Sequence, residues 1–182
     1  MVVANSNVKH DIGDGEYPIR VEQCKTATEA LQKVNSNMKT LRNATLEDVE
    51  KAKELMDTIS YKRARHVVTE NTRVLEAVQA LESGDWKKVG CLMNDSHSSM
   101  RFDYEVSCDE IDVLVSIAQS FSGVYGSRLT GGGFGGCTVT LVTKEKAGEL
   151  MAEMKKEYKS QTGKDCECFQ TQPARGAHIL EV

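Results

Sequence analysis

Apolar positions along this chain recur first at helical spacing and then, past the middle, alternate with polar ones. Val2 to Val8 is rich in β-branched residues and reads as a strand. Behind it Ile19, Cys24, Ala27, Leu31 and Val34 make one helical stripe, with Pro18 in the first turn, where a missing N–H breaks no helical bond. A second helix opens at Thr45, with Asp48 three residues on as a variant capping box, and carries Leu46, Val49, Ala52, Leu55 and Ile59 inward. The stripe Ala64, Val67, Val68, Leu75, Val78 and Leu81 predicts a long helix from Tyr61 to Glu82, stopped at Gly84. Asp85 caps a shorter helix through Trp86, Val89, Leu92 and Met93, and Ser107 with Glu110 forms a capping box for the helix of Ile111, Leu114, Val115 and Ala118.

From Val124 the period changes. Val124 to Leu129 reads as a strand, and Cys137, Val139 and Leu141 give a second strand the two-residue period. A helix with Ala147, Leu150, Met151, Met154 and Tyr158 inward stops at Gly163, and strands follow at Cys166 to Gln170 and Ala177 to Val182. The order is strand, four helices, then α-β-β-α-β-β. It predicts an α+β fold in which a ferredoxin-like split βαβ sheet is packed with several helices. No internal repeat is apparent.

Composition narrows this picture without redirecting it. A chain of 182 residues, 40% apolar and 27% charged with only two prolines, reads as an ordinary folded chain with one core as the default. The net charge of -4 comes from interspersed acids and bases, so no basic block points to nucleic acid. No apolar run approaches the roughly 20 residues of a membrane-spanning helix. The opening MVVANSNVKH lacks a secretory pattern, which with six cysteines suggests a reducing, cytoplasmic setting. Cys24, Cys91, Cys108 and Cys137 occupy apolar positions and Cys166 and Cys168 form a C-x-C, while the four histidines are scattered without zinc-ligand spacing.

The densest signal is Gly126-Ser127-Arg128-Leu129-Thr130-Gly131-Gly132-Gly133-Phe134-Gly135-Gly136-Cys137, with five glycines in six consecutive positions. Gly131, Gly133 and Gly136 satisfy a bare G-x-G-x-x-G, but a dinucleotide fingerprint opens a helix and this loop opens a strand. A Walker-type Gly-Lys-Ser or Gly-Lys-Thr ending is also missing. The residues alone leave two readings, a tight turn between strands or a loop that lets backbone approach a phosphate.

The segment Gly126 to Cys137 resembles the third motif of GHMP kinases in its galactokinase form. Similar stretches occur at Asn5 to His10, Glu16-Tyr17-Pro18-Ile19-Arg20, Arg63 to Val68, Leu92 to His97, Asp103 to Cys108 and Gly176-Ala177, so the resemblance runs along nearly the whole chain. It implies a galactokinase C-terminal domain over residues 1–182, with 1–12 a strand of an interdomain sheet and the N-terminal domain absent. The implied reaction carries the γ-phosphate of ATP, with Mg2+, to the anomeric hydroxyl of galactose in a cleft between two domains.

By the same resemblance Tyr17 hydrogen-bonds the sugar, and Thr130, Gly131, Gly132 and Gly133 support the phosphate loop of the other domain. Lys9 is a weaker phosphate candidate, and His97, Arg101 and Asp103 suit interdomain or capping bonds better than catalysis. The catalytic aspartate and the serine-rich phosphate loop belong upstream of residue 1. The chain itself therefore supplies no catalytic residue and no metal ligand, and is expected to be inactive in isolation. Two alternatives stay open, an N-acetylgalactosamine kinase and a non-catalytic galactose sensor on the same fold. Surface uncovered by a missing domain would favour self-association.

Overall fold

The computed structural model describes residues 1–9, 15–177 and 179. Four strands, β1 (Val2–Asn5), β2 (Val124–Thr130), β3 (Cys137–Val142) and β4 (Glu167–Gln170), form one sheet in the order β2-β3-β1-β4, every neighbour antiparallel. That order is the ferredoxin-like split βαβ arrangement the element sequence predicts. The two crossover helices, α5 (Asp109–Ser120) and α6 (Ala147–Thr162), cover one face. There Val2, Ala4, Leu114, Ala118, Leu150, Met154 and Tyr158 are buried in a single core.

Between β1 and α5 the chain inserts a helical layer: α1 (Glu16–Val34), α2 (Leu46–Lys51), α3 (Thr58–Glu82) and α4 (Trp86–Phe102). It has its own core of Ala27, Leu31, Met38, Leu41, Val49, Ala52, Ala64 and Val68. Helix α4 joins this layer to the sheet by lying against the outer edge of β2. A Cβ on Gly90 would stand 2.0 Å from the Tyr125 carbonyl oxygen, so helix and strand touch backbone to backbone. Along the same edge the Ser127 N–H donates to Asn94 Oδ1 at 2.9 Å and the Leu129 N–H to His97 Nδ1 at 3.3 Å. Two side chains one helical turn apart thus occupy donors that a further strand would otherwise take.

Several expectations change in detail. Of the strand expected over residues 1–12, the described residues 1–9 contain Val2–Asn5, with β3 and β4 paired to its two edges, and residues 10–12 lie outside the described residues. The predicted second helix breaks into α2 and a 3-10 turn at Lys53–Leu55. Thr45 makes its capping box with Asp48, but Asp57 restarts the chain by accepting the N–H groups of Ile59 and Ser60. Leu55 and Ile59 are left exposed.

The stripe on α3 is core only in its first half, because α1 and α2 pack beside Ala64 and Val68, while Leu75, Val78 and Leu81 lie exposed beyond them. The Ser107–Glu110 box does not form. Cys108 is the N-cap of α5, and the Ser107 hydroxyl donates to Asp112 at 2.6 Å. All six cysteines are free, with Cys91 exposed. Most of the last predicted strand lies outside the described residues, and Ala177 and Ile179 are not in a strand.

Candidate functional site

The glycine loop 131–136 leaves β2 and returns into β3, and backbone shape decides its position. Gly131, Gly133, Phe134, Gly135 and Gly136 all take positive φ. A Cβ on Gly133 would stand 2.3 Å from the Val106 carbonyl oxygen, and one on Gly135 would stand 2.6 Å from that of Val8. The loop is thus pressed against two neighbouring segments with no room for side chains at the contacts. On the β1 side the Ser6 N–H and hydroxyl both donate to the Gly136 carbonyl at 2.8 and 2.9 Å, and the Gly136 N–H donates to Val8. From α6, the fully buried Tyr158 hydroxyl donates to the Ser6 carbonyl at 2.8 Å and holds this corner from beneath; burial pushes its pKa up to about 12.

On the other side lies the turn 103–106, whose four carbonyls are each taken by a named donor. Arg63 Nη1 donates to Asp103 at 2.6 Å, Arg20 Nε to Tyr104 at 2.9 Å, Arg20 Nη2 to Glu105 at 2.7 Å, and the Phe134 N–H to Val106 at 2.6 Å. Arg63 is fully buried on α3 and also donates to Gln23 and to the Glu105 carboxylate. Its hydrogen bond holds the Glu105 carboxyl below the usual range. The Arg20 guanidinium lies 5.6 Å from the Phe134 ring centroid and pairs with Glu16 at 3.1 Å. Arg20 and Glu16 flank Tyr17 on the first turn of α1, so that turn sits on the same side of the fold as the glycine loop.

Tyr17 itself is 76% exposed. Burial pushes the Tyr104 hydroxyl up to about 12, and the nearby Cys24 adds to the effect. Thr130 is exposed at the end of β2, as are Gly131, Gly132 and Lys9. Only three non-glycine residues described have positive φ, namely Asn7, Glu105 and Phe134, and each belongs to a segment that meets at the loop. Left-handed non-glycine backbone costs about 1–3 kcal/mol, and its concentration here marks the most constrained part of the molecule. Beneath it Met100, Val106, Ile111 and Leu129 form a small third core, with Tyr104 and Phe134 packed on it.

The polar loop residues take the structural part. His97 receives the Leu129 N–H on Nδ1 and faces Asp112 with Nε2 at 3.2 Å, which places its proton on Nε2. Burial pushes Asp112 up, but hydrogen bonds from His97 and Ser107 and the Arg101 charge outweigh it and hold the carboxyl low. Asp103 accepts from Arg65 and from the Ser99 hydroxyl, and Ser99 in turn contacts His66 Nδ1 at 3.0 Å. None of these groups approaches the exposed side of the glycine loop through a described contact. Among the described residues no group of three or more His, Cys, Asp or Glu side chains could hold a metal ion, and no helix is long and apolar enough to cross a membrane.

A helix-capped split βαβ sheet whose β2–β3 connection is this glycine loop is a known arrangement. The family described as GHMP kinases C terminal matches residues 77–160, which include the loop and both strands. The fold is that of a GHMP kinase C-terminal domain. Over 180 residues it is 45% identical to the galactokinase of Bos taurus, covering 99% of this chain and 44% of that protein. With the galactokinase of Clostridium beijerinckii it shares 46% over 164 residues, 90% of this chain and 42% of the relative.

The solved Lactococcus lactis galactokinase complexed with galactose superposes on this GHMP kinase domain with a TM-score of 0.88 at 32% identity, over 92% of this chain and 43% of the other. The solved L. major mevalonate kinase in complex with R-mevalonate shares the fold at a TM-score of 0.54 and 17% identity, over 95% of this chain and 43% of the other. The chain thus spans less than half the length of the relatives it matches.

Sequence reasoning singled out Tyr17 and the loop but passed over Arg20, Arg63 and Phe134. Both arginines lie in the galactokinase-like segments Glu16 to Arg20 and Arg63 to Val68, yet nothing in periodicity announces that a guanidinium is buried. Their partners are backbone carbonyls some 40 to 85 residues away along the chain.

Proposed function

We propose that this chain is the C-terminal half of a galactokinase, which transfers the γ-phosphate of ATP to the anomeric hydroxyl of galactose. The observation that carries the reading is 45% identity to a galactokinase over nearly the full chain, loop included. In this reading residues 1–182 form one domain, and an N-terminal domain supplies the phosphate loop and the catalytic aspartate. Tyr17, exposed on the first turn of α1, hydrogen-bonds the sugar, a part its donor and acceptor hydroxyl suits.

Thr130, Gly131, Gly132 and Gly133 stand at the phosphate end of the nucleotide. A Cβ built on Gly131 or Gly132 meets nothing within 4 Å, so the exposed rim of the loop has space for a ligand-bearing loop of the other domain. Mg2+ accompanies ATP, held by phosphates and by groups outside this chain. A galactokinase mechanism asks this half for positioning: phosphoryl transfer depends on aligned phosphates and hydroxyl, and rigid backbone around the loop keeps one wall of the cleft in place.

The Glu16-Tyr17-Pro18 sequence favours galactose over N-acetylgalactosamine, and a cytoplasmic setting fits free thiols on all six cysteines. The test is kinetic, on the longer polypeptide that carries this chain. Tyr17→Phe should raise the galactose KM roughly tenfold, the value of one hydrogen bond, with the ATP KM within twofold. An unchanged galactose KM removes Tyr17 from the sugar site, and a wild-type protein that does not phosphorylate galactose removes the function.

A further inference from the structure

Arg20 touches both the helix that carries Tyr17 and the glycine-loop side of the candidate site. It leaves α1 one turn after Tyr17, is 8% exposed, and spends its donors on Tyr104, Glu105 and Glu16. Its planar face lies over Phe134 at 5.6 Å, and Phe134 donates its N–H to Val106 in the same turn. Glu105 and Phe134 both hold positive φ, the two strained residues that Arg20 contacts. A guanidinium suits this place because its fixed fork meets two successive carbonyls while its face stays free to stack, which an ammonium cannot do.

We propose that Arg20 is a positioning residue that locks the glycine loop to the helix carrying Tyr17, through the 103–106 turn. The idea rests on Tyr17 and the loop being two sides of one substrate cleft, and it adds the part that fixes their separation. Arg63 grips the same turn from α3 at Asp103 and at the Glu105 carboxylate. The turn is therefore anchored to the helical layer independently and bonded to the loop by the Phe134 N–H, and Arg20 adds the link from the helix of Tyr17 to both.

Amide hydrogen exchange on the 182-residue chain and kinetics on the longer polypeptide test this separately. In Arg20→Lys, protection at residues 104–106 and 131–136 should fall roughly tenfold or more while amides of α6 stay within twofold. Phe134→Leu, which keeps Arg20 and removes the stacking partner, should reproduce the loop effect, and the double variant should be no worse than the stronger single one. In the longer polypeptide Arg20→Lys should lower kcat about tenfold with each KM within threefold, the pattern of lost alignment and not of lost binding.

Loop protection equal to wild type overturns the proposal, as does a uniform loss across the whole chain in both variants or fully additive effects. If loop protection falls as expected while the wild-type longer polypeptide shows no galactose phosphorylation, Arg20 still locks the loop and the galactokinase reading fails.

Discussion

His66 shows what burial does to one side chain in this fold. Its ring stacks on Tyr104 with centroids 4.5 Å apart, its Nδ1 lies 3.0 Å from the Ser99 hydroxyl, and burial pushes its pKa from 6.5 down to about 4. The folded value lies below the unfolded one, so the neutral ring's contribution is whole above pH 6.5 and is lost as pH falls toward 4. Between pH 7 and 5 the loss is about 2 kcal/mol, in a window above the range where the low-lying carboxyls of Asp112, Glu70 and Glu105 take up protons. Urea unfolding at the two pH values should show that difference, and His66→Gln should flatten it.

Tyr158→Phe removes the donor to the buried Ser6 carbonyl and should destabilise by about 1–3 kcal/mol, read in the same assay. At Gly133 a methyl group meets the Val106 carbonyl at positive φ. Gly133→Ala should therefore lose about 1–3 kcal/mol from backbone strain alone, and exchange protection should drop first at 131–136.

Helix α4 and strand β2 behave as one unit because their contact is backbone against backbone and the strand's free donors end on the helix. An edge strand with unpaired N–H groups recruits other strands, and here Asn94 and His97 block that. Asn94→Ala leaves the buried Ser127 N–H without its acceptor and should cost about 1–3 kcal/mol. Asn94→Asp keeps an acceptor oxygen at that place and should lose less. Comparing the two by denaturation separates the hydrogen bond from the packing; equal losses would show that the cap contributes nothing.

Helix and strand identities were largely legible beforehand, since amphipathic stripes such as Ala27–Leu31 and Leu150–Met154–Tyr158 decide them locally. Boundaries were less so. Asp57 restarts a helix that apolar spacing alone runs together with its neighbour, and Ser107 pairs with Asp112 while the predicted partner Glu110 pairs with Lys164.

Taken whole, the molecule is a split βαβ sheet with a helical layer inserted after its first strand, and its candidate site lies where the two meet. On the sheet face opposite α5 and α6, Val3, Val139 and Leu141 are half-buried and Phe169 is 55% exposed, an apolar surface that suits a second copy of the chain. Sedimentation of the isolated chain should show self-association that lessens when Phe169 is replaced by Lys. Because phosphoryl transfer needs aligned phosphates and a group orienting the hydroxyl, the isolated chain should give no galactose-dependent turnover of ATP. Turnover by the purified 182-residue polypeptide would place the catalytic groups within it.

Local patterning determined the class of fold, the order of its elements and the glycine loop as the place to look, because periodicity and glycine density act over a few neighbouring residues. Only tertiary structure decided that Arg20 and Arg63 are buried, that Val8 and Val106 press on the loop, and that Asn94 and His97 close an edge. Those contacts join residues far apart in the chain, and their energies depend on burial and backbone geometry that no local pattern encodes.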